Sequence, residues 1–497
     1  MSMEYCSTRD KEIRVSASQA ILKGLSKEGG LFVPLEIPKL SISLSELKNL
    51  DYKETAYQIM KEFLTDFTDE ELRTCIDAAY DDKFDTEEIA PLVKVDDDYF
   101  LELFHGSTLA FKDMALSILP HLLMTAAKKH HTTKEIVILA ATSGDTGKAA
   151  MAGFADVKGT RIIVFYPKDG VSKVQEMQML TQKGKNVDVV AISGNFDMAQ
   201  SGVKAMFENK TLEQELDACG YQFSSANSIN IGRLVPQVVY YAYAYARLLK
   251  EEKIKPHEVI NVVVPTGNFG NILAAYYAKQ MGIPIGKLIC ASNDNKVLYD
   301  FIGTGIYDRN REFILTSSPS MDILISSNLE RLLYILSDGD SDAIRDLMKE
   351  LKEKGSYTIS EKMRQRMKDF AAGFATEEQV ADTIKQFYQD TGYVVDTHTA
   401  VAAYVCKEYK NKSKDHTTCV IASTASPYKF VKSVMSGIDE KYKDLDEFSL
   451  LPKLESMAKI SMPQAIKEIL QEQPIHHTVC KPGDMEITVK KLLHIME

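Results

Sequence analysis

Lys112 lies in a segment whose residue types suit a reactive amine. It follows Leu109 and Phe111, precedes Met114, and opens a stretch with helical periodicity. Burial among apolar side chains disfavours the charged ammonium and so lowers the pKa of a lysine toward neutrality. An uncharged lysine can act as a Schiff-base nucleophile and then as a general base. Most lysines are instead exposed surface charges, so this segment alone leaves both interpretations open.

A second segment, Thr266-Gly267-Asn268-Phe269-Gly270-Asn271, joins an apolar strand ending at Val264 to a helix beginning near Ile272. A glycine-rich turn there lets successive backbone N–H groups point at one anion, which the helix dipole also favours. The sequence has neither the Walker A pattern nor G-x-G-x-x-G, so a nucleotide site is weakly supported. A tight turn without any ligand is the alternative, and the two asparagines favour a phosphate cradle over it.

A third segment, Ala141-Thr142-Ser143-Gly144-Asp145-Thr146-Gly147, follows another strand pattern. Its hydroxyls and the helix N-terminus behind it suit a carboxylate or a phosphate. The same residue types also cap helices without any ligand, so this segment is weak evidence by itself. Ligands of open α/β sheets bind at the carboxyl ends of strands, where loops of this kind are placed.

The elements that must position these loops have the pattern of an α/β protein. Between about 99 and 295, short β-branched runs alternate with helical patterns, and a further such run precedes Ser423. This alternation is typical of βαβ units and predicts a parallel sheet covered by helices on both faces. The predicted strands are Ile136–Ala140, Arg161–Phe165, Val187–Ile192, Val259–Val264, Leu288–Ala291 and Thr417–Ala422.

The remaining patterns divide the chain into five predicted parts. A mostly helical N-terminal part covers 1–98, and the α/β core covers 99–329. A helical insertion is predicted over 330–392, a return to the core over 393–435, and a helical tail over 436–497. The predicted helices outside the core are Val15–Leu25, Tyr52–Phe63, Asp342–Lys354, Ser360–Phe374 and Thr376–Tyr388.

Composition excludes several classes of protein. Of the 497 residues, 45% are hydrophobic and 26% are charged, which is ordinary for a globular protein. The net charge is −11, from 59 basic and 70 acidic residues, so no nucleic-acid partner is expected. No apolar run approaches the roughly 18 residues of a transmembrane helix, so no membrane association is expected. The seven scattered cysteines, with no C-x-x-C pair, predict reduced thiols in a cytoplasmic protein.

Other motifs are absent from the sequence. The histidines at 130–131, 398 and 476–477 have no carboxylate or cysteine at metal-ligand spacing, so no metal site is predicted. The G-x-S-x-G elbow of a standard α/β-hydrolase is missing. The polar segment 1–10 has no apolar stretch and is not expected to be a secretory signal.

The lysine segment, the Gly/Asn segment and a late Ser/Thr segment together describe a pyridoxal-phosphate site of the tryptophan-synthase β type. In detail, the sequence resembles the threonine synthase family, in its longer form with an N-terminal cap domain. The resemblance covers nearly the whole chain, and several motifs in one family order are more specific than any one of them. The matching segments are Tyr5-Cys6-Ser7-Thr8-Arg9, Gly29-Gly30-Leu31-Phe32-Val33-Pro34, Leu103-Phe104-His105-Gly106, Phe111-Lys112-Asp113, Ser224-Ser225-Ala226-Asn227-Ser228-Ile229-Asn230 with Arg233, and Ser423-Thr424-Ala425-Ser426-Pro427.

This resemblance implies fold type II of the pyridoxal-phosphate enzymes: two parallel-sheet domains with helices on both faces, plus a mostly helical N-terminal domain. It implies that Lys112 is the catalytic lysine that forms a Schiff base with the cofactor. Thr424 would form a hydrogen bond with the pyridine nitrogen. The cofactor phosphate would be held by Gly267, Asn268, Phe269, Gly270 and Asn271.

The implied substrate is O-phospho-L-homoserine, converted with water to L-threonine and phosphate by γ-elimination and β-addition of water. The residues implied for the substrate carboxylate are Thr142, Ser143 and Thr146. The residues implied for the substrate phosphate are Asn227, Ser228 and Arg233. A monomer or a homodimer is expected.

Two other functions are compatible with the same fold. One is a serine/threonine dehydratase or a β-replacement synthase, and the other is a catalytically silent binding protein. Only a phosphorylated substrate needs a second anion site, so the cluster around Arg233 favours threonine synthase over the first. The presence of Lys112 beside the cofactor segments argues against the second. Two positions depart from the family pattern: Ser107 replaces a common proline, and Ser426 replaces a common histidine.

Overall fold

The computed structural model of the protein describes residues 3–142, 144–168, 170–458 and 461–496. The strands in these ranges are β1 (Glu4–Ser7), β2 (Asp10–Ser16), β3 (Phe32–Pro34), β4 (Leu92–Val95), β5 (Asp98–Glu102), β6 (Glu135–Ala141), β7 (Thr160–Pro167), β8 (Val187–Ile192), β9 (Tyr221–Ser224), β10 (Ile260–Pro265), β11 (Ile285–Ser292), β12 (Ile306–Asp308), β13 (Ser356–Thr358), β14 (Phe370–Phe374), β15 (Cys419–Ser423) and β16 (Thr478–Cys480).

The α-helices are α1 (Ala17–Lys23), α2 (Leu44–Leu47), α3 (Tyr52–Phe63), α4 (Asp69–Ala79), α5 (Asp113–Leu116), α6 (Leu119–Lys129), α7 (Asp145–Phe154), α8 (Lys173–Leu180), α9 (Phe196–Glu208), α10 (Lys210–Ala218), α11 (Ile231–Lys250), α12 (Gly270–Met281), α13 (Val297–Thr304), α14 (Leu329–Leu336), α15 (Ser341–Lys354), α16 (Glu361–Arg366), α17 (Glu377–Thr391), α18 (Thr397–Ser413), α19 (Val431–Ile438), α20 (Glu447–Ala458), α21 (Gln464–Ile469) and α22 (Met485–Leu492).

The larger sheet has six strands in the order β14-β11-β10-β15-β5-β4. Its edge pair β4–β5 is antiparallel, whereas the pairs from β5 to β14 are parallel. Every residue of the central strand β10 is buried, as expected for a sheet covered on both faces. The segments that follow β5, β10 and β15 therefore meet at one edge of this sheet, where α/β proteins bind ligands.

The smaller sheet has five parallel strands in the order β16-β8-β7-β6-β9. Helix α7 begins four residues after β6 ends, and the segment containing Thr142 joins the two. Helix α11 follows β9, is buried along nearly its whole length, and packs against α3 and α12. The aromatic residues of α11 at 240–245 belong to this core. Two parallel sheets with helices between and around them confirm the predicted α/β class.

The six predicted strands are all confirmed, with ends that differ by three residues at most. The predicted helix Tyr52–Phe63 matches α3 at both ends. Helices α15 and α17 likewise confirm the predictions at Asp342–Lys354 and Thr376–Tyr388. These elements are the ones in which local sequence pattern and tertiary contacts favour the same structure.

The predicted helix Val15–Leu25 is wrong at its start. Val15 and Ser16 belong to β2, and α1 begins at Ala17. Ser16 is the N-cap: its hydroxyl accepts from the backbone N–H of Gln19, and the Gln19 side chain accepts from the Ser16 N–H. This reciprocal pair fixes the first turn of the helix and excludes Val15 from it.

The predicted helix Ser360–Phe374 is wrong in its second half. Helix α16 ends at Arg366, and Phe370–Phe374 forms β14, which pairs in parallel with β11 at the edge of the larger sheet. The open backbone edge of β11 offers that pairing, and pairing of this kind outweighs a local helical pattern. The predicted helical insertion over 330–392 therefore supplies a strand to the core sheet.

Two further parts contain strands that were not predicted: the N-terminal part, predicted as mostly helical, and the tail, predicted as helical. The N-terminal part includes an antiparallel sheet in the order β2-β1-β3, and the tail contributes β16, which pairs with β8. The division of the chain into five parts stays a prediction. No helix within the described ranges is long and apolar enough to cross a membrane.

Candidate active site

Lys112 lies at the carboxyl-end edge of the larger sheet, on the segment that joins β5 to α5. Its side chain is buried, with 9% of the residue exposed. The ammonium nitrogen Nζ donates to Oδ2 of Asp145 at 3.2 Å and to Oγ of Ser320 at 2.9 Å. The predicted enclosure of Lys112 is confirmed, and its side chain points at polar partners from two other segments.

The loop before Lys112 is held by its own side chains. The carboxylate of Asp113 accepts from the backbone N–H of Thr108 at 2.7 Å and from the Thr108 hydroxyl at 2.6 Å. A Cβ at Gly106 would lie 2.6 Å from Cβ of Asp113, so this turn requires glycine. Ser107, between them, is half-buried, and the loop closes without the proline common at its position.

Backbone hydrogen bonds connect this loop to the segment after β15. Phe111 N–H donates to the carbonyl oxygen of Thr424 at 2.8 Å, and Ser426 N–H donates to that of Leu109 at 3.0 Å. Thr424 is buried, with 4% of the residue exposed. The structure thus brings the segments of Lys112 and Thr424 together.

Asp145 and Lys429 form a buried ion pair beside Lys112. Lys429 Nζ lies 3.2 Å from Asp145 Oδ1 and donates to the carbonyl oxygen of Thr108 at 2.8 Å. Gln175 Nε2 donates to the same Asp145 oxygen at 2.8 Å. Burial alone would raise the pKa of Asp145, but the charges of Lys112 and Lys429 hold it well below its usual value. Asp145 is therefore a carboxylate shared by two lysines.

The same environment lowers the pKa of Lys112. Burial is the largest cause, and the positive charges of Lys429 and Arg233 add to it, while Asp145 opposes them. A lysine in this balance loses its proton more easily than an exposed lysine, as a general base must. The predicted direction of its pKa shift is confirmed.

Ser320 is positioned by a buried histidine. The backbone N–H of Ser320 donates to Nε2 of His398 at 3.2 Å, and the other ring nitrogen, Nδ1, lies 2.7 Å from Oδ2 of Asp396. Because Nε2 accepts, the ring proton is on Nδ1 and points at the aspartate. The Ser320 hydroxyl then donates to Asp145 Oδ2 at 2.8 Å while it accepts from Lys112.

The segment Thr266–Asn271 forms the turn between β10 and α12. Phe269 adopts the left-handed conformation, with φ of 62°, directly before the helix begins at Gly270. Asn328 holds the turn from outside, since its backbone N–H and its side-chain Nδ2 both donate to the Asn268 carbonyl at 3.0 Å. The first N–H groups of α12 therefore face the edge at which Lys112 lies.

One unpaired donor lies at this turn. Oδ1 of Asn271 accepts from the hydroxyls of Tyr240 and Tyr241, whereas its buried Nδ2 has no partner within the described part of the chain. A Cβ at Gly270 would have Asn328 Nδ2 at 3.5 Å and Gln237 Nε2 at 3.9 Å as its nearest neighbours, and these two amides already donate to the carbonyl oxygens of Asn268 and Arg233. The Asn271 amide and the first N–H groups of α12 are therefore the donors left for an anion.

Arg233 presents a second unpaired donor. The residue is 3% exposed, its Nη1 donates to the carbonyl oxygen of Ala226 at 2.9 Å, and its Nε has no partner in the described ranges. Burial lowers the pKa of Arg233 to about 10. A buried guanidinium without a carboxylate partner is costly unless an anionic ligand offsets its charge.

The other predicted substrate residues differ in what surrounds them. Ser228 Oγ is 3.4 Å from Asn328 Nδ2, near the Gly/Asn turn, and Asn227 is exposed on the same loop. Thr142 uses its hydroxyl oxygen inside its own loop, where it accepts from the N–H groups of Gly144 at 3.0 Å and Gly147 at 2.9 Å. Its hydroxyl proton remains available to a ligand.

Thr146 and Ser143 are the other two residues predicted to bind the substrate carboxylate. Thr146 is half-buried in the first turn of α7, and Ser143 lies outside the described residues. The roles of all the predicted site residues stay predictions.

Several site residues were missed by the sequence analysis. Ser320, Asn328 and Gln237 belong to no motif that it singled out, and His398 was considered only for metal binding. Asp145 belongs to the third segment, for which helix capping was the alternative to an anion site, and Lys429 lies two residues beyond the late segment and was given no role.

His105 is a doubly bound histidine at the start of the Lys112 loop. Its Nε2 lies 2.8 Å from Oε2 of Glu102, and its Nδ1 faces Oδ1 of Asp85. Burial would lower the pKa of His105, but hydrogen bonds with Asp85 and Glu102 raise it to about 9. Both ring nitrogens therefore donate, and the imidazolium clamps the loop at neutral pH.

We expect the stability that His105 contributes to disappear at high pH. Since its folded pKa is raised, the contribution is full below the ordinary value of about 6.5 and is lost as the pH rises through about 9. The loss should amount to about 3 kcal/mol. Urea unfolding at about pH 6 and about pH 10 measures it. The difference in the free energy of unfolding between the wild type and His105→Gln should shrink at the higher pH. As a control, the variant of the exposed His416, His416→Gln, should unfold with nearly the wild-type free energy at both pH values. A His105→Gln difference that stays constant with pH would contradict the charged clamp.

Comparisons with known proteins agree with this geometry. Three family models match in chain order: "Threonine synthase N terminus" at residues 4–80, "Pyridoxal-phosphate dependent enzyme" at 87–424, and "Threonine synthase, C-terminal" at 399–478. The solved structure of a PLP-bound threonine synthase from Brucella melitensis is 34% identical, with a TM-score of 0.88 and 99% of each chain covered.

Curated relatives include two kinds of protein. Threonine synthase of Saccharomyces cerevisiae is 33% identical over 95% of this chain and 98% of its own length. Threonine synthase-like 1 of Pongo abelii is 39% identical over 90% of this chain, and the chain spans 62% of that longer protein.

The fold, with loops of two parallel sheets around a buried lysine, is that of the fold type II pyridoxal-phosphate-dependent enzymes. Within that class, the matches at both ends of the chain and along its whole length are to threonine synthases. The chain belongs to the threonine synthase family.

Proposed function

We propose that this chain converts O-phospho-L-homoserine and water to L-threonine and phosphate, as a pyridoxal-phosphate-dependent carbon–oxygen lyase. The single observation that supports this reaction most is the buried Arg233, whose Nε has no hydrogen-bond partner among the described residues and whose charge acts on Lys112. An unphosphorylated amino acid would leave that guanidinium without a counter-charge, whereas a phosphate monoester supplies one.

Pyridoxal phosphate fits the residues at the larger sheet's edge. The Gly267–Asn271 turn would hold its phosphate, with the N-terminus of α12 and the Asn271 Nδ2, which is unpaired among the described residues. The Thr424 hydroxyl would form a neutral hydrogen bond with the ring nitrogen, and Lys112 Nζ would bond covalently to the cofactor. When bound, the cofactor holds the substrate amino group and accepts the electron pair released at Cα.

Lys112 is the residue that we expect to move protons. Once released, its amine takes the proton from Cα of the substrate, and burial makes the amine available by lowering its pKa. The resulting ammonium then donates to Asp145 Oδ2 and Ser320 Oγ, which lie 3.2 and 2.9 Å from Lys112 Nζ in the structure. Lys429 keeps Asp145 ionised throughout, so the carboxylate orients the lysine without competing for its proton.

The substrate is bound at its two anionic ends. Thr142, Ser143 and Thr146, before and within the first turn of α7, would bind the carboxylate. Asn227, Ser228 and Arg233 would bind the phosphate, and the Arg233 charge would stabilise it as it leaves Cγ. A proton would leave Cβ before the phosphate departs, and Cγ would then gain a proton. Addition of water at Cβ and return of a proton to Cα would give threonine.

A direct assay tests this proposal. Purified enzyme loaded with pyridoxal phosphate should release phosphate and form threonine in equal amounts from O-phospho-L-homoserine. L-Serine serves as the comparison substrate, because a dehydratase or β-replacement enzyme would prefer it. Faster turnover of serine than of O-phosphohomoserine would contradict the proposal, as would the absence of any cofactor absorbance.

The cofactor turn offers a sharper test at Gly270. A Gly270→Val side chain would occupy the space bordered by Asn328 Nδ2 and Gln237 Nε2. A Cβ there makes only ordinary contacts with the protein, so the added side chain would compete with the phosphate for this space. A cost of about 1–3 kcal/mol for that crowding should weaken cofactor binding roughly 5- to 150-fold. Cofactor titration followed by absorbance measures this effect. Gly303→Val is the matched control, since nothing lies within 4 Å of a Cβ there. Unchanged cofactor affinity in a folded Gly270→Val protein would show that the phosphate lies elsewhere.

We further propose that the protein works in a reducing compartment such as the cytoplasm, because all seven cysteines are free thiols. Its assembly as a monomer or a homodimer stays a prediction.

A further inference from the structure

Two cysteines and an aspartate converge at the edge of the larger sheet opposite to the Lys112 site. Cys406 lies on α18, Cys419 is the first residue of β15, and Asp98 is the first residue of β5. Their two sulfurs and one carboxylate oxygen all lie within 4.8 Å of one another. Both cysteines are almost completely buried, with 1% and 0% exposed. The proposed reaction uses none of the three, since its loops follow the other ends of β5 and β15.

The carboxylate of Asp98 is already oriented toward the thiols. Its Oδ1 pairs with Lys410 Nζ and accepts from the backbone N–H of Cys419 at 3.3 Å. Its Oδ2 is left facing Cys406, whose Sγ donates to it at 3.7 Å. A ligand placed between the sulfurs and Oδ2 would therefore leave the Lys410 ion pair in place.

We infer that Cys406, Cys419 and Asp98 form a binding site for a divalent, thiophilic cation of the zinc class. Two sulfurs and a carboxylate oxygen are a donor set that zinc prefers. In a tetrahedral site with Zn–S bonds of about 2.3 Å, the ligand sulfurs are separated by about 3.7 Å. The two sulfurs and the Asp98 oxygen lie within 4.8 Å of one another, so side-chain shifts of about 1 Å bring them to the distances of such a site. The carbonyl oxygen of Thr417 lies 3.6 Å from Cys419 Sγ, and this oxygen or a water molecule would supply the fourth ligand.

Charge also balances at this site. Each thiol loses its proton to solvent as its sulfur bonds to the metal, so that the ligands provide two thiolates and one carboxylate. A divalent cation offsets two of these three negative charges, and Lys410 offsets the third. A buried site without net charge avoids the desolvation cost that an unbalanced one would have.

The expected consequence of binding is stability. The three ligands join the start of β5 to the consecutive elements α18 and β15, which are about 300 residues further along the chain. A cation that binds the folded chain and not the unfolded one raises the melting temperature with its concentration. Turnover should change little, because the catalytic loops lie at the opposite edge of the sheet.

Cadmium is a suitable probe, because its bonds to thiolate produce an ultraviolet charge-transfer band. We expect one equivalent of Cd²⁺ to saturate this band in the reduced holoenzyme, with release of two protons and a raised melting temperature. Cys406→Ala and Asp98→Asn should each weaken Cd²⁺ binding, the cysteine variant by at least about 100-fold. Asp98→Asn keeps both thiols and tests the carboxylate if the cysteine variant fails to fold, as judged by circular dichroism.

Cys75→Ala is the matched control, since Cys75 is equally buried but has no second thiol beside it in the described structure. It should bind cadmium as the wild type does. The inference is overturned if the wild type shows no band, if the band survives Cys406→Ala in a folded protein, or if Cys75→Ala removes it. Formation of a Cys406–Cys419 disulfide under hydrogen peroxide, without any Cd²⁺ binding by the reduced protein, would likewise overturn it in favour of a redox pair.

Discussion

Lys112→Ala is expected to reduce threonine formation by at least about 10⁴-fold, the upper range for loss of a general base. The variant removes the only amine that the structure places on both Asp145 and Ser320 within the described residues. It would also remove the covalent bond that we propose between Lys112 and the cofactor. Phosphate release from O-phospho-L-homoserine measures the rate, and the absorbance of the loaded protein measures the altered cofactor linkage.

The fold should survive this substitution. Asp145 keeps Lys429 at 3.2 Å and Gln175 at 2.8 Å, so it is not left as an unpaired buried charge. Cofactor should still bind through the Gly267–Asn271 turn. Lys128→Ala, on the exposed face of α6, is the control and should retain full activity. Near-normal threonine production by Lys112→Ala would remove Lys112 from the mechanism.

The fold was predictable where local pattern and tertiary environment agree. Apolar runs such as 260–265 and 187–192 are buried on both faces of parallel sheets, so their composition alone identifies them as strands. Strand β14 was not predictable, because Phe370–Phe374 is short, contains Gly373, and owes its conformation to pairing with β11. Edge pairing of this kind depends on a partner about 80 residues away, which periodicity does not report.

The site was predictable only in part, for a related reason. Each of three parts of the site is a continuous short segment that follows a strand: the segments of Lys112, Gly267–Asn271 and Thr424. A family resemblance identifies such segments directly. Ser320 enters the site because His398 holds its backbone N–H, across 78 residues of sequence. Lys429 enters the site because it pairs with Asp145, which lies in the first turn of α7, the helix that follows β6 of the smaller sheet. These contacts arise from packing between distant segments, and no local spacing encodes them.

Arg233→Ala should distinguish a phosphorylated substrate from all others. Losing a charge-assisted hydrogen bond costs about 1.5–3 kcal/mol, or roughly 10- to 100-fold in kcat/KM. We expect at least this loss with O-phospho-L-homoserine and almost none in the slow deamination of L-serine or L-threonine. Arg233→Lys should recover only part of the activity, since lysine keeps the charge but not the two parallel N–H groups.

Arg331 provides the matched control for a purely structural arginine. It is fully buried as well, but its Nε donates to the Phe32 carbonyl at 2.9 Å, and its two terminal nitrogens are bound by Asn328 and Ile229. Arg331→Lys should therefore lower the melting temperature and affect both kinds of substrate equally. Arg233 differs because its Nε has no hydrogen-bond partner in the part of the chain that the structure describes. If Arg233→Ala also lowered both activities equally, its guanidinium would support the fold or the cofactor, and the proposal of a phosphate ester would rest on family membership alone.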